Sequence, residues 1–70
     1  MPNEKVLNSV RQKRMELGIT QEDLAGLVGV TRQTIIAIER GNYSPSVLLA
    51  LRLAKRLRCP VEDLFYEESV

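Results

Sequence analysis

Apolar residues recur at helical spacing in five short runs, set apart by glycine, proline or small polar residues. The first run predicts a helix over 5–17, with Val6, Val10 and Leu17 on its buried face, Leu7 beside them and Gly18 as its stop. Ile19 follows as an apolar plug. Thr20 precedes Gln21, Glu22 and Asp23. This is a cap followed by acids, which suits the positive end of a second helix. Leu24, Leu27 and Val28 give that helix its apolar face, Ala25 allows a close neighbour, and Gly29 breaks it. A third helix is predicted over 31–40. Thr31 is its N-cap, Ile35 and Ile38 form its inward stripe, and Gly41 stands where a left-handed C-cap is wanted. Gly41-Asn42-Tyr43-Ser44-Pro45 has turn chemistry. Ser46 caps a fourth helix that runs to Leu57 or Arg58, with Val47, Ala50, Leu51, Ala54 and Leu57 as its stripe and Leu49 and Leu53 widening it. Cys59-Pro60 is a second break before a short fifth helix, 61–66, heavy with Leu64, Phe65 and Tyr66. No alternation of strand length appears. Segments 1–4 and 67–70 read as loose, with room for a short edge pairing.

The second and third helices are joined by three residues, Gly29-Val30-Thr31. So short a connection forbids an overlapping antiparallel pair and predicts a steep crossing, as in a helix-turn-helix. The front of the third helix then carries Arg32, Gln33 and Thr34. Arg and Gln have planar side-chain ends that form paired hydrogen bonds with base edges in a major groove.

Charge sharpens this picture. The net charge is only +1. Yet all ten basic residues lie within 1–58 against five acids there, while 59–70 holds four acids and no base. A basic body with an acidic end suits a protein with one face for nucleic acid. Arg11, Lys13 and Arg40 are candidate phosphate contacts. Arg52, Lys55, Arg56 and Arg58 read as a solvated helix face.

Seventy residues allow one domain near the lower size limit for an unstapled core. There is no His and one Cys, Cys59, so neither a structural zinc site nor an internal disulfide is expected. Cys59 reads as an apolar filler. No leader peptide or membrane-length apolar run is seen, and a cytoplasmic location is expected. No catalytic residues, metal ligands or cofactor are expected. The chain has no nucleophile with an adjacent base, no paired inward carboxylates and no Gly-rich phosphate loop.

In combination, several stretches resemble the Cro/repressor-type (XRE) helix-turn-helix family, in particular small stand-alone regulators such as the cytolysin repressor. They are Val10 through Ala25, with Gly18-Ile19-Thr20-Gln21-Glu22-Asp23-Leu24 at its heart, Gly29 through Ile35, Ile38-Glu39-Arg40-Gly41, and Pro45-Ser46. The resemblance implies an all-α, five-helix, lambda-repressor-like DNA-binding domain with its helix-turn-helix at helices 2 and 3. The domain would span 1–70, with its core at 5–66. Gln21 would touch a DNA phosphate and brace the recognition helix. Thr31, Arg32, Gln33, Thr34 and Ala37 would meet DNA, with Arg32, Gln33 and Ala37 reading bases. Arg14 and Glu39 would pair between helices 1 and 3, and Asn42, Tyr43 and Ser44 would follow the backbone. Lys13, Ile36 and Leu48 depart from the family pattern: Lys13 stands at a position often apolar, Ile36 and Leu48 at positions often polar, and for Ile36 two roles stay open, contact with a thymine methyl or cover for a neighbouring helix.

The function expected is a sequence-specific transcription regulator, a repressor, bound to double-stranded DNA as a homodimer, with no membrane partner and no small-molecule effector. The competing expectation is a protein-interaction adaptor or antitoxin built on the same fold. For the dimer surface the sequence points to Leu64, Phe65 and Tyr66, with Leu53 nearby, because the last short element has more apolar bulk than it can bury itself.

Overall fold

The computed structural model describes residues 6–67. Their order is β1 (Val6–Asn8), α1 (Val10–Glu16), α2 (Gln21–Val28), α3 (Arg32–Glu39), α4 (Val47–Leu57), α5 (Val61–Leu64) and β2 (Phe65–Glu67). Five helices surround one core. The fully buried side chains are Val10, Leu24, Val28, Ile35, Ile38, Leu53 and Leu64, so every helix contributes at least one. Burying each large aliphatic side chain contributes roughly 1.5–3 kcal/mol before entropy is charged. Ile19, Val30, Cys59, Val61 and Phe65 close the edge of this cluster.

The helix starts follow from local chemistry. At α2 the Thr20 hydroxyl accepts from the Asp23 amide at 3.0 Å, and the Asp23 carboxylate accepts from the Thr20 amide at 3.1 Å. This reciprocal cap satisfies two donors that a helix start leaves free. The Thr20 amide, and then its hydroxyl, hold the Asp23 carboxyl below its ordinary range. Thr31 accepts from the Thr34 amide at α3, and Ser46 from the Leu49 amide at α4.

The stops are left-handed. After α3, Gly41 has φ 79°, its amide reaches the Ile38 carbonyl, and the Asn42 amide reaches the Ala37 carbonyl. After α1, Gly18 at φ 70° does the same, with bonds from Gly18 to Met15 and from Ile19 to Arg14. Both are double-bonded Schellman closures. The α2–α3 turn bends at Gly29, φ 78°, and the carbonyl of Ala25, itself buried, accepts from Val30 at 3.0 Å. At the end of α4 it is Arg58, not a glycine, that takes φ 61°.

Three expectations are corrected here. The first helix starts at Val10, not at 5. Val6–Asn8 instead pairs antiparallel with Phe65–Glu67, in the register Val6↔Glu67, Leu7↔Tyr66 and Asn8↔Phe65. For the same reason the last helix ends at Leu64, and Phe65 and Tyr66 lie in β2. Strands of three residues are too short to leave an alternating pattern. Glu67, read as part of a loose end, is paired; the rest of the segments 1–4 and 68–70, and Lys5 at the expected helix start, lie outside the described residues.

The buried stripes also move. Val6, Leu7 and Leu17 are exposed, as is Leu27. On α4 the buried set is Leu49, Leu53, Ala54 and Leu57, while Val47, Leu48 and Leu51 face solvent. Two overlapping stripes fit the helical period on so apolar a helix, and packing against α1, α2 and α5 chose between them.

Candidate nucleic-acid interface

The interface is organised by a partly buried ion pair. Arg14 of α1 donates from Nε to Glu39 Oε2 of α3 at 2.7 Å and from Nη2 to Glu39 Oε1 at 3.3 Å. The side chains are 11% and 4% exposed, so the pair is largely shielded from water. Arg14 also donates from Nη1 to the Ile19 carbonyl at 2.9 Å, and Gln21 Nε2 donates to Glu39 Oε1 at 3.0 Å. The pair thus joins α1, the α1–α2 turn, the start of α2 and the end of α3. Paired in this forked geometry, both charges keep their hydrogen bonds despite burial.

With its far end held this way, α3 turns Ile35 and Ile38 into the core. Away from that stripe Arg32, Gln33 and Arg40 are exposed, and Ile36 and Ala37 are half-buried. Arg11, Arg14, Gln21, Arg32, Ile36, Glu39 and Arg40 line one groove between α1, the start of α2 and α3. Glu39 offsets Arg14, which leaves Arg11, Arg32 and Arg40 to make the groove positive.

Each expected site residue has a definite place. Thr31 caps α3 and is exposed at its tip; its hydroxyl lies 3.2 Å from that of Thr34, which is half-buried. Gln21 reaches Glu39 with one amide donor, and an amide has a second N–H and a carbonyl to offer elsewhere. Asn42, Tyr43 and Ser44 are exposed in the loop beyond α3 and line a second depression with Val6, Asn8 and Phe65.

Lys13 is set apart from Arg11 and Arg40. It does not line the arginine groove; its charge acts on Cys59, beside Asp63 and Glu16, and its amine lies 3.9 Å from Glu16. Residues 11 and 13 are about 200° apart around a helix, so one cannot share the groove with the other. The dimer expectation also changes. Leu53 and Leu64 are 0% exposed within the chain's own core and have no side-chain surface for a partner. Phe65 is half-buried against that core, while Tyr66 stays exposed.

One contributor was not assigned from the sequence. Asn8 donates from Nδ2 to the Ile38 carbonyl at 2.9 Å and accepts from the Val10 amide at 3.2 Å. It therefore opens α1 and holds the end of α3 together. Its signal was present in Asn8-Ser9, two cap-type residues before Val10, but the apolar run masked it. Ile36, for which the sequence left two roles open, lines the groove.

Burial pushes the Cys59 thiol up, against the opposing influence of Lys13. A thiol held protonated is a poor nucleophile and fits a filler at the core edge. Among the described residues no cluster of His, Cys, Asp and Glu is arranged to hold a metal ion. No described helix is long and apolar enough to cross a membrane.

The family model described as Helix-turn-helix matches residues 10–64, from the start of α1 to the end of α5. The chain belongs to the Cro/repressor-type helix-turn-helix family. An HTH-type transcriptional regulator of Methanothermobacter thermautotrophicus is 61% identical over 57 residues, which covers 80% of this chain and 83% of the relative. The restriction-modification controller protein C.AhdI of Aeromonas hydrophila superposes with a TM-score of 0.73 at 36% identity, covering 80% of this chain and 81% of the other. The P22 c2 repressor, in complex with a synthetic operator, superposes with a TM-score of 0.74 at 34% identity, covering 76% and 80%. As a Cro/repressor-type member the protein is a DNA-binding transcription regulator with a lambda-repressor-like fold, not an enzyme.

Proposed function

We propose that this single helix-turn-helix domain is a cytoplasmic repressor that reads double-stranded DNA as a homodimer, with α3 in the major groove. The observation that carries the reading is the two-sided character of α3. Ile35 and Ile38 are locked in the core while Arg32, Gln33 and Arg40 stand free beside the arginine-lined groove. Arg32 and Gln33 have the forked ends that guanine and adenine accept, and Ala37 and the Thr34 methyl are small enough to meet thymine. Arg11, Gln21, Thr31 and Arg40, with Asn42, Tyr43 and Ser44 beyond the helix, serve the phosphates. A domain that occupies its operator obstructs other proteins there, which favours repression.

The homodimer is supported by a surface that the chain leaves uncovered. Val47, Leu48 and Leu51, exposed by 77%, 58% and 53%, share one face of α4. Exposed Arg52, Lys55 and Arg56 extend the helix, and exposed Glu62, Asp63 and Glu67 follow in α5 and β2. Adjacent basic and acidic elements complement each other when two copies meet about a two-fold axis. Such a pair would present two recognition helices to half-sites about one turn of DNA apart.

Selection of binding sites from random duplex DNA, followed by titration at two salt concentrations, tests the reading. The expected result is a palindromic site whose affinity falls steeply with salt. Enrichment of no sequence would refute it and favour a protein-binding role for the fold.

A further inference from the structure

Ile36 lies midway along the helix between Arg32 and Arg40, four residues from each. On a helix with 3.6 residues per turn, these three form one ridge. All three line the groove, with Arg11 facing them from α1. The ridge is separate from the buried stripe of Ile35 and Ile38, so Ile36 is not required by the core. A branched aliphatic side chain between two exposed guanidinium groups has no hydrogen bond to offer a base or a phosphate. In the major groove the matching apolar feature is the 5-methyl group of thymine.

We propose that Ile36 is a specificity-determining residue that contacts a thymine methyl in each half-site. The inference rests on the assignment of α3 as the DNA-reading helix. Four residues of helix rise roughly 6 Å, and one base step rises about 3.4 Å. The thymine therefore lies about one or two base pairs from the base read by Arg32. Arg32 and Arg40 hold the ridge against DNA from either side, and Ile36 selects thymine over cytosine between them.

The test starts from the site selected from random DNA, with each thymine replaced singly by deoxyuridine, which removes only the methyl. One position per half-site should lose about fourfold in affinity, the value of one buried methyl-sized group. Ile36→Ala should bind that site more weakly and be indifferent to the same replacement, whereas Ile36→Val should keep the sensitivity. Placing 5-methylcytosine at that position should recover part of the affinity lost to cytosine with the native chain. Titrations at low salt keep every complex measurable, and thermal melting confirms that each variant is folded. If no thymine methyl affects binding to a selected site, or if Ile36→Ala shows the same deoxyuridine loss as the native chain, Ile36 only covers the Arg14–Glu39 pair and the proposal is wrong. If no site is selected at all, the DNA-reading assignment fails, and the proposal with it.

Discussion

Arg14 and Glu39, 25 residues apart, form a forked ion pair whose carboxylate side is 4% exposed, and Gln21 donates to the same carboxylate. The pair fixes the end of α3 relative to α1 and α2. Because both charges are withdrawn from water, losing one partner differs from losing both. Arg14→Met is expected to destabilise the domain by about 3–5 kcal/mol, since Glu39 is left buried and uncompensated. That corresponds to a fall of at least roughly 12 °C in melting temperature for a chain of this size. The double variant Arg14→Met/Glu39→Leu should recover most of that loss while still binding DNA more weakly, because Gln21 has lost its acceptor. A double variant as unstable as the single one would show that the pair acts through packing, not charge compensation.

The groove predicts a division of labour among polar residues. Gln33→Ala should weaken binding to the selected site by about 1–3 kcal/mol and leave binding to unrelated DNA nearly intact. Arg11→Ala should weaken both kinds of binding and reduce the slope of log affinity against log salt by about 1. Lys13→Ala should do neither, because Lys13 is about 200° around α1 from Arg11 and lies beside Glu16. Equal losses for Arg11→Ala and Lys13→Ala would place the DNA elsewhere on the domain.

Two glycines should respond to alanine with opposite sign. Gly41 closes α3 at φ 79°, and an added Cβ would meet nothing within 4 Å, so the cost lies in the backbone alone. Gly41→Ala should destabilise by about 1–2 kcal/mol. Gly26 is exposed inside α2, also with open space around it and without a positive φ. Gly26→Ala should stabilise by roughly 0.5–1 kcal/mol through reduced freedom of the unfolded chain. Thermal melts of the two variants against the native chain decide both signs.

The uncovered face of α4 makes a separate claim. Leu51→Glu adds a charge at the centre of Val47, Leu48 and Leu51 without touching the core, since Leu51 is 53% exposed. It should weaken self-association at least about tenfold in sedimentation equilibrium while the monomer's melting changes little. An unaltered dimer would move the interface away from this face and toward Tyr66.

How much was legible depends on how far each signal reaches along the chain. Thr20, Thr31 and Ser46 cap within three residues of themselves, and Gly18, Gly29 and Gly41 need only their own positive φ. Signals of that range survive in a bare sequence, so these six helix starts and stops, and the inward Ile35 and Ile38 of α3, were determined by the chain alone. The ribbon was not, because Val6–Asn8 gains its partner from Phe65–Glu67 at the other end of the protein. Once that pairing forms, the residues read as the first and last turns of helices are taken for strands.

The same distinction holds for the site. The composition of α3 determined which side chains are proposed to meet DNA, because Arg32 and Gln33 carry their hydrogen-bonding geometry with them. Tertiary packing decided the rest. It chose Leu49 and Leu53 over Val47 and Leu51 for the core, turned Lys13 away from the groove and Arg11 into it, and enclosed Leu53 and Leu64 where no partner reaches them. On helices apolar on more than one side, the period allows several buried faces, and only the neighbouring helices select one.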